Sequence, residues 1–544
     1  MSTRHPGAAL LPRSNGARRL IAAAATTLLA FTTVSCSEAK SSAEKEAADT
    51  SVLREGITAD KDAGAPTETA KLRFGSYAEP RSLDPAVSIA AATTGGTEML
   101  NIYDSLMRYD TTSQAFVPQL AENLEPNATA DVWTLTLRPN VTFTNGDTLD
   151  AAAVVASIDR YVTLQGPESA LWKRHVKAAK ATGDLTVEFT LAYPWPGFAS
   201  ILSTGPGMIV AEAAKSGEEF VPIGAGPFQL KTWKPQERLL LTRNPDYWDG
   251  APPIAELDFA FVNDQGARVD SLRAGDLDAT MVIDPDQAAA ILKLGGGHYI
   301  NITAANNVAL INAREGHPGA DVRVRQALQA ATDPQFMMTK AYGPAAIGSS
   351  ELFPDATRWT SEVDGPAFDM AHAKKLLGEA MADGYDGRIT YLESSEPSSR
   401  DSALAVKAQL EAVGFTVKLD LVDNVVTQFT KVAIDGDYDV AAWGLVYRES
   451  DPYPKMFATL HSEGNQSYGM HTSPEMDALI EQLLDPADVD ATRGVMARIQ
   501  EQLNAQVPFL NWGAYADVNA WAANVHGVAG ASNSMLLLSN AWIK

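Results

Sequence analysis

Cysteine occurs once in the 544 residues, at Cys36. A single thiol excludes an intramolecular disulfide, a cysteine-based zinc site and an iron–sulfur cluster. Basic residues are in short supply as well: 43 Lys and Arg stand against 67 Asp and Glu, for a formal charge of −24. That balance argues against a nucleic-acid partner, because phosphate contacts need positive charge. The eight histidines never fall into HExxH or HxxxH spacing, so no metal site is expected. Neither a GxSxG elbow nor a GxxxxGK[ST] phosphate loop occurs, and Gly295-Gly296-Gly297-His298 reads as a turn. The scattered carboxylates single out no glycosidase pair. With no reactive constellation and no sign of a cofactor, the residues favour a binding protein over an enzyme. Beyond the N-terminal segment no apolar run reaches the 18 or so residues that a membrane span needs, and no repeat of fixed period suggests a solenoid.

What is present begins with an export signal over residues 1–35. Arg4, Arg13, Arg18 and Arg19 form a basic stretch free of Asp and Glu, followed by the apolar run Leu20–Val34. The run is short for a bilayer but suits the hydrophobic region of a signal peptide. Thr33-Val34-Ser35-Cys36 resembles a bacterial lipobox, in which cleavage before cysteine exposes a thiol for diacylglycerol; Thr33 stands where the pattern usually has Leu. Cys36 is therefore the expected lipidation site. Residues 36–70, rich in Ser, Ala, Glu, Lys and Asp, read as a flexible, hydrated tether.

The body alternates strand and helix patterns. Leu72 and Phe74, then Trp133, Leu135 and Leu137, then Leu185, Val187, Phe189 and Leu191, carry the two-residue period of half-buried strands. Val154, Val155, Ile158 and Tyr161 trace a helical face, as do Leu376, Leu377, Ala380 and Met381. Ala403, Val406, Leu410 and Val413 trace another before Gly414, after which Val417, Leu419 and Leu421 resume strand alternation. Met476, Leu479, Ile480 and Leu483 mark a late helix after Ser473-Pro474. Such interleaving predicts a mixed α/β fold.

Several ordered stretches resemble the substrate-binding proteins of ABC importers in the peptide/nickel/opine-binding family, extracellular solute-binding protein family 5. They include Pro118–Glu122, Trp133–Asp147, Gly224–Phe228 and Arg243–Trp248. Val322–Leu328 precedes Ala331-Thr332-Asp333-Pro334; Asn465–Tyr468, Asp477, Arg498–Gln500 and Val507-Pro508 follow in family order. The resemblance covers roughly 71–544. It implies a two-lobed periplasmic-binding-protein-like fold (type II, large form) with an additional α/β domain elaborating the first lobe. Projected onto this chain, lobe one takes 71–99, 198–305 and 508–544, the additional domain 100–197, and lobe two 306–507. It further implies a monomeric body anchored on the extracytoplasmic face of the cell membrane. There it would capture a peptide or peptide-like organic solute and deliver it to membrane-embedded ABC permease subunits. A receptor for an opine, oligosaccharide or metal chelate is the alternative, and a secreted hydrolase a remoter one.

The segment Asp439–Pro452 bears on ligand choice. Family peptide binders often place an Asp three residues after the position of Trp443, to hold a peptide's α-ammonium; here that position is Val446. Valine offers no acceptor for a buried ammonium, leaving Glu449 or Asp451 to compensate. Trp443 and Tyr447 are expected as apolar walls and Arg448 as a partner for a carboxylate. Ser76, Tyr77 and Glu79, at the end of the first strand, complete the expected ligand-binding set.

Overall fold

A computed structural model describes residues 54–58, 64–216, 219–343, 346–355, 357–423, 425–484 and 488–544. The export signal and Cys36 lie outside these residues.

The body is organised by one large mixed sheet with helices on its faces. From one edge, its strands run Phe228–Lys234, Arg238–Arg243, Ile254–Phe261, Thr69–Ser76 and Ala279–Val282, then Phe509–Trp521 and Gly297–Ile311, then Val440–Trp443, Arg388–Ser394 and Thr416–Val422. The first five lie on the side expected as lobe one and the last three on the side expected as lobe two, with the long antiparallel pair Gly297–Ile311 and Phe509–Trp521 between them. Val518 to Trp521 of the second long strand pairs with Ala279–Val282 of lobe one. Val308 to Ile311 of the first pairs with Val440–Trp443 of lobe two. Both long strands are buried over most of their length, a setting in which a near-continuous apolar run replaces polar–apolar alternation.

The pairing of these two strands is interrupted where they pass from one lobe to the other. Register runs regularly from Gly297 opposite Trp521 to Thr303 opposite Tyr515, then shifts before Asn307 and again before Val308. Within the gap Ala305 takes a left-handed conformation (φ 48°), and Gly513 on the facing strand has φ 155°. A Cβ on Gly513 would sit 2.6 Å from the Ile347 carbonyl oxygen, so only glycine fits there. A bulge that breaks a ladder and re-aims the chain suits the junction between two lobes.

The patterns at Trp133–Leu137 and Leu185–Leu191 fall in the four-stranded sheet Ala121–Pro126, Val132–Leu137, Thr186–Leu191 and Val176–Gly183, whereas those at Leu72–Phe74 and Val417–Leu421 fall in the large sheet. Helix Ala151–Thr163 packs on it, begun by the Asp150 side chain accepting from Ala153 N at 2.8 Å. Trp133, Trp172, Phe189 and Phe198 meet in its core, with Phe189 and Phe198 centroids 5.1 Å apart. This sheet and its helix fall within 100–197, the segment expected as the additional domain. Helices Met370–Ala382 and Pro397–Val413 flank the lobe-two strands, the latter ending at left-handed Gly414. Among the described residues, no helix is long and apolar enough to cross a membrane.

The tether read over 36–70 is not featureless. Gly56–Thr58 forms a strand antiparallel to Ile300–His298, taking a free edge of the long crossing strand. Glu55 fills the next place on that edge: its carboxylate accepts from Ile302 N at 2.5 Å and from Asn301 Nδ2 at 2.7 Å. Composition predicts solvation here because it registers polarity, not an unpaired ladder edge waiting in the body. Burial, aided by the nearby Glu449, pushes the Glu55 carboxyl up to about 8.

Candidate functional site

The loop following Val440–Trp443 docks on the bulge between the lobes. Leu445 N and Val446 N both donate to the Ala305 carbonyl, at 3.0 and 3.4 Å. Tyr447 and Arg448 then pair with Ala304 and Thr303. Val446 has φ 59°, a costly conformation for a β-branched residue and one that persists only where the surroundings impose it. Two left-handed residues, Ala305 and Val446, thus meet at the junction.

Two cavities flank this loop, and Gly444 lines both. The first, about 590 Å³, opens in lobe two at the carboxyl ends of the parallel strands Arg388–Ser394 and Val440–Trp443, the place where open α/β sheets characteristically bind ligands. Its wall includes Asn307, Tyr342, Glu393, Gln428, Trp443 and Trp512. Tyr342 donates to Asn307 Oδ1 at 2.9 Å, and Gln428 Nε2 donates to the Ala442 carbonyl at 2.8 Å. Trp443 stacks on Phe429 at 6.3 Å and meets Tyr468 edge-on at 5.5 Å. Burial raises the Glu393 carboxyl to about 7.

The second cavity, about 450 Å³, lies between the lobes. Residues 444–466 form one side; Ile89, Phe116, Glu168 and Asn533 stand among those opposite. Val446, Arg448 and Lys455 bring the loop's side chains to it. Lys455 Nζ donates to Gln466 Oε1 at 2.5 Å, meets no carboxylate among the described residues, and is lowered to about 8 by burial. Asp451 is raised to about 6 by burial, with Oδ1 accepting from Tyr453 N at 3.1 Å.

The seven residues expected to contact ligand are not brought together in one place. Trp443 lines the lobe-two cavity and Arg448 the interlobe cavity. Arg448 is already engaged: Nη1 donates to Asn301 Oδ1 at 2.7 Å, to Asp517 Oδ2 at 3.3 Å and to Ser534 Oγ at 3.3 Å. Tyr447 is fully buried in the core, its hydroxyl 2.9 Å from Thr459 Oγ1, so it forms no cavity wall. Glu449 is buried too; its carboxylate accepts from Arg358 N and its carbonyl from Trp359 Nε1 at 2.8 Å. The expected compensation for Val446 by Glu449 therefore has no geometric support, since that carboxylate holds a neighbouring loop. Ser76 Oγ donates to the buried Glu98 at 2.7 Å, and Glu79 accepts from Trp233 Nε1 and Gln236 N, each at 2.9 Å. Half-buried Tyr77 has the Arg268 guanidinium 5.6 Å over its ring and stands near Tyr342, whose hydroxyl is raised chiefly by burial and in smaller part by Tyr77.

Glu393, Asn307, Tyr342 and Lys455 were not among the residues expected from sequence. Glu393 is the next-to-last residue of the strand Arg388–Ser394, just before Ser395-Glu396-Pro397, and a carboxylate at the carboxyl end of such a strand is a local signal of a site. Lys455 has no such signal, because its isolation from carboxylates is a property of the fold.

The family model for bacterial extracellular solute-binding proteins, family 5, matches residues 115–467. The chain belongs to this family. Among its relatives, Protein XP55 of Streptomyces lividans is 28% identical over 465 residues, covering 79% of this chain and 81% of the relative. The dipeptide-binding protein of Escherichia coli K12 is 25% identical over 476 residues, covering 81% and 88%. The crystal structure of NikA from Brucella suis in complex with Fe(III)-EDTA superimposes with a TM-score of 0.72 at 24% identity, covering 88% of this chain and all of that one. As a family 5 member the chain is a solute receptor of an ABC import system and not a catalyst. Its two lobes and crossing strands are the architecture that such capture requires. Among the described residues, no group of three His, Cys, Asp or Glu is placed to hold a metal ion.

Proposed function

We propose that the protein captures a peptide or peptide-like solute between its lobes and presents it to its permease from a lipid anchor at Cys36. The carrying observation is the meeting of two cavities at Gly444, on a loop hydrogen-bonded to the bulge between the lobes. Solute held there contacts lobe two and the crossing strand, and closure of lobe one over it buries the remainder. Closure then couples occupancy to shape, the property a permease reads. Peptides are favoured over other organic solutes by the dipeptide-binding relative and by the mixed apolar and polar walls of both cavities.

The test begins with Cys36→Ser, which should leave the protein in the aqueous phase of a detergent separation while wild type enters the detergent phase. Solute extracted from that soluble protein and identified by mass spectrometry should be peptidic. Adding it back should reduce the radius of gyration and raise the melting temperature. Recovery of a metal chelate or sugar instead would replace the peptide reading, and equal partitioning of both forms would remove the anchor.

A further inference from the structure

The cavity in lobe two presents a carboxylate that no basic side chain among the described residues neutralises. Glu393 is 8% exposed and stands at the carboxyl end of its strand, on the cavity wall. Oε1 accepts from Ser394 N at 2.9 Å. No Lys, Arg or His forms an ion pair with it among the described residues. The titratable groups facing it are hydroxyls: Tyr391 on its own strand and Tyr342 on the helix Pro334–Tyr342 across the cavity. A buried, unpaired carboxylate is costly, and proteins ordinarily relieve that cost with a cation or a proton. Around it stand the rings of Trp443, Trp512 and Tyr342 with Met337 and Met338. Aromatic faces beside a carboxylate suit a positively charged nitrogen bearing an apolar substituent.

Val446, on the loop between the two cavities, has no acceptor for an ammonium. Glu449 accepts from Arg358 N, while Asp451 accepts from Tyr453 N through Oδ1 and lines the interlobe cavity, not this one. We propose that Glu393 is the residue that recognises a cationic amine or guanidinium of the solute, inside the aromatic cavity of lobe two. The inference rests on the receptor reading and adds to it a ligand class: organic cations with an apolar or aromatic group next to the charge. It places charge recognition on the strand beside Val440–Trp443 and not on the loop that follows it.

The probes are 2-phenylethylamine, protonated at neutral pH, and 2-phenylethanol, its neutral near-isostere, titrated calorimetrically into the Cys36→Ser protein. The amine should bind more tightly than the alcohol by about tenfold or more at pH 8. Its affinity should fall roughly tenfold from pH 8 to pH 6 as Glu393 takes up a proton around its midpoint of about 7, while the alcohol's affinity stays flat. Glu393→Gln should abolish both the preference and the pH dependence, and Glu393→Asp should retain part of each. Near-ultraviolet circular dichroism and melting temperature show whether each variant folds. Equal binding of the two probes, no binding of the amine at 10-millimolar concentration, or an unchanged preference in a folded Glu393→Gln overturns the proposal. Recovery of a non-peptide solute alongside a positive amine result removes the peptide reading alone. Recovery of peptides alongside a negative amine result removes this inference alone.

Discussion

Arg448 and Glu393, on the two cavities that share Gly444, meet the problem of buried charge in opposite ways. On the interlobe side, Arg448 is met by Asp517, Asn301 and Ser534, so its charge is spent within the protein. In the lobe-two cavity, Glu393 pairs with no basic side chain among the described residues. A neutralised cation fastens a loop to the crossing strands, whereas an unneutralised carboxylate leaves electrostatic free energy for a ligand to claim. Proximity to a cavity is thus a weaker sign of ligand contact than an unfilled bonding capacity. Lys455 tests the distinction, since it lies with Arg448 on the interlobe cavity yet meets no carboxylate.

The largest expected effect follows from breaking the neutralised side. Arg448→Ala strips the cation from Asp517, which is 2% exposed, and takes donors from Asn301 and Ser534. Removing one partner of a largely buried pair leaves the other charge unsolvated, so a loss of about 3 kcal/mol in unfolding free energy is expected. Adding Asp517→Asn should restore part of it, because the stranded charge is then gone. A loss below about 1 kcal/mol, read from denaturant midpoints at constant slope, would place Arg448 among ordinary surface arginines and return it to the ligand-contact candidates.

The next effect is of opposite sign. The Lys455 ammonium is destabilised by burial, and its folded-state value near 8 lies below that of an unfolded lysine. The folded state therefore binds fewer protons than the unfolded state between about pH 8 and 10.5. Its penalty is fully present below pH 8 and fades as pH rises through that window. Lys455→Met, which keeps the aliphatic stem, should accordingly stabilise the ligand-free protein by about 1 kcal/mol at pH 7, and by much less at pH 10. Equal gains at both pH values would mean that packing, rather than charge, accounts for the change.

Much of this architecture is legible in the residue pattern, and the exceptions share a cause. Val132–Leu137 and Thr186–Leu191 show their burial as alternation because one face of each meets a core and the other does not. The helices Ala151–Thr163, Met370–Ala382, Pro397–Val413 and Pro474–Gln482 follow the same logic with a helical period. Gly297–Ile311 and Phe509–Trp521 are buried over most of their length, so the alternation that marks a half-exposed strand is lost where the lobes join. The site is less legible still. Tyr447 and Glu449 are plausible ligand residues by chemistry, yet Thr459 and Arg358 N consume their polar atoms inside the fold. Glu393 has ordinary chemistry and becomes notable only once the fold denies it a cation. Sequence displays which groups are available; folding decides which of them remain unsatisfied.

The smallest effect concerns the backbone that holds the two cavities together. Val446 is left-handed at φ 59° and its amide donates to Ala305, itself at φ 48°. For a β-branched residue that conformation costs about 1–3 kcal/mol, whereas asparagine visits it readily. Val446→Asn relieves part of that strain but gives up the apolar contact of a half-buried isopropyl group on the interlobe wall. The two terms nearly offset, and a net gain of about 0.5 kcal/mol in denaturation midpoint is expected, with the amine preference of the lobe-two cavity unchanged. A destabilisation above 1 kcal/mol would show that the valine's contacts outweigh its strain, and that the loop is held by packing more than by the Ala305 carbonyl. If the new amide instead took over amine recognition, the preference for 2-phenylethylamine would survive Glu393→Gln in the double variant. The division of labour between loop and strand would then depend on a single side chain at position 446.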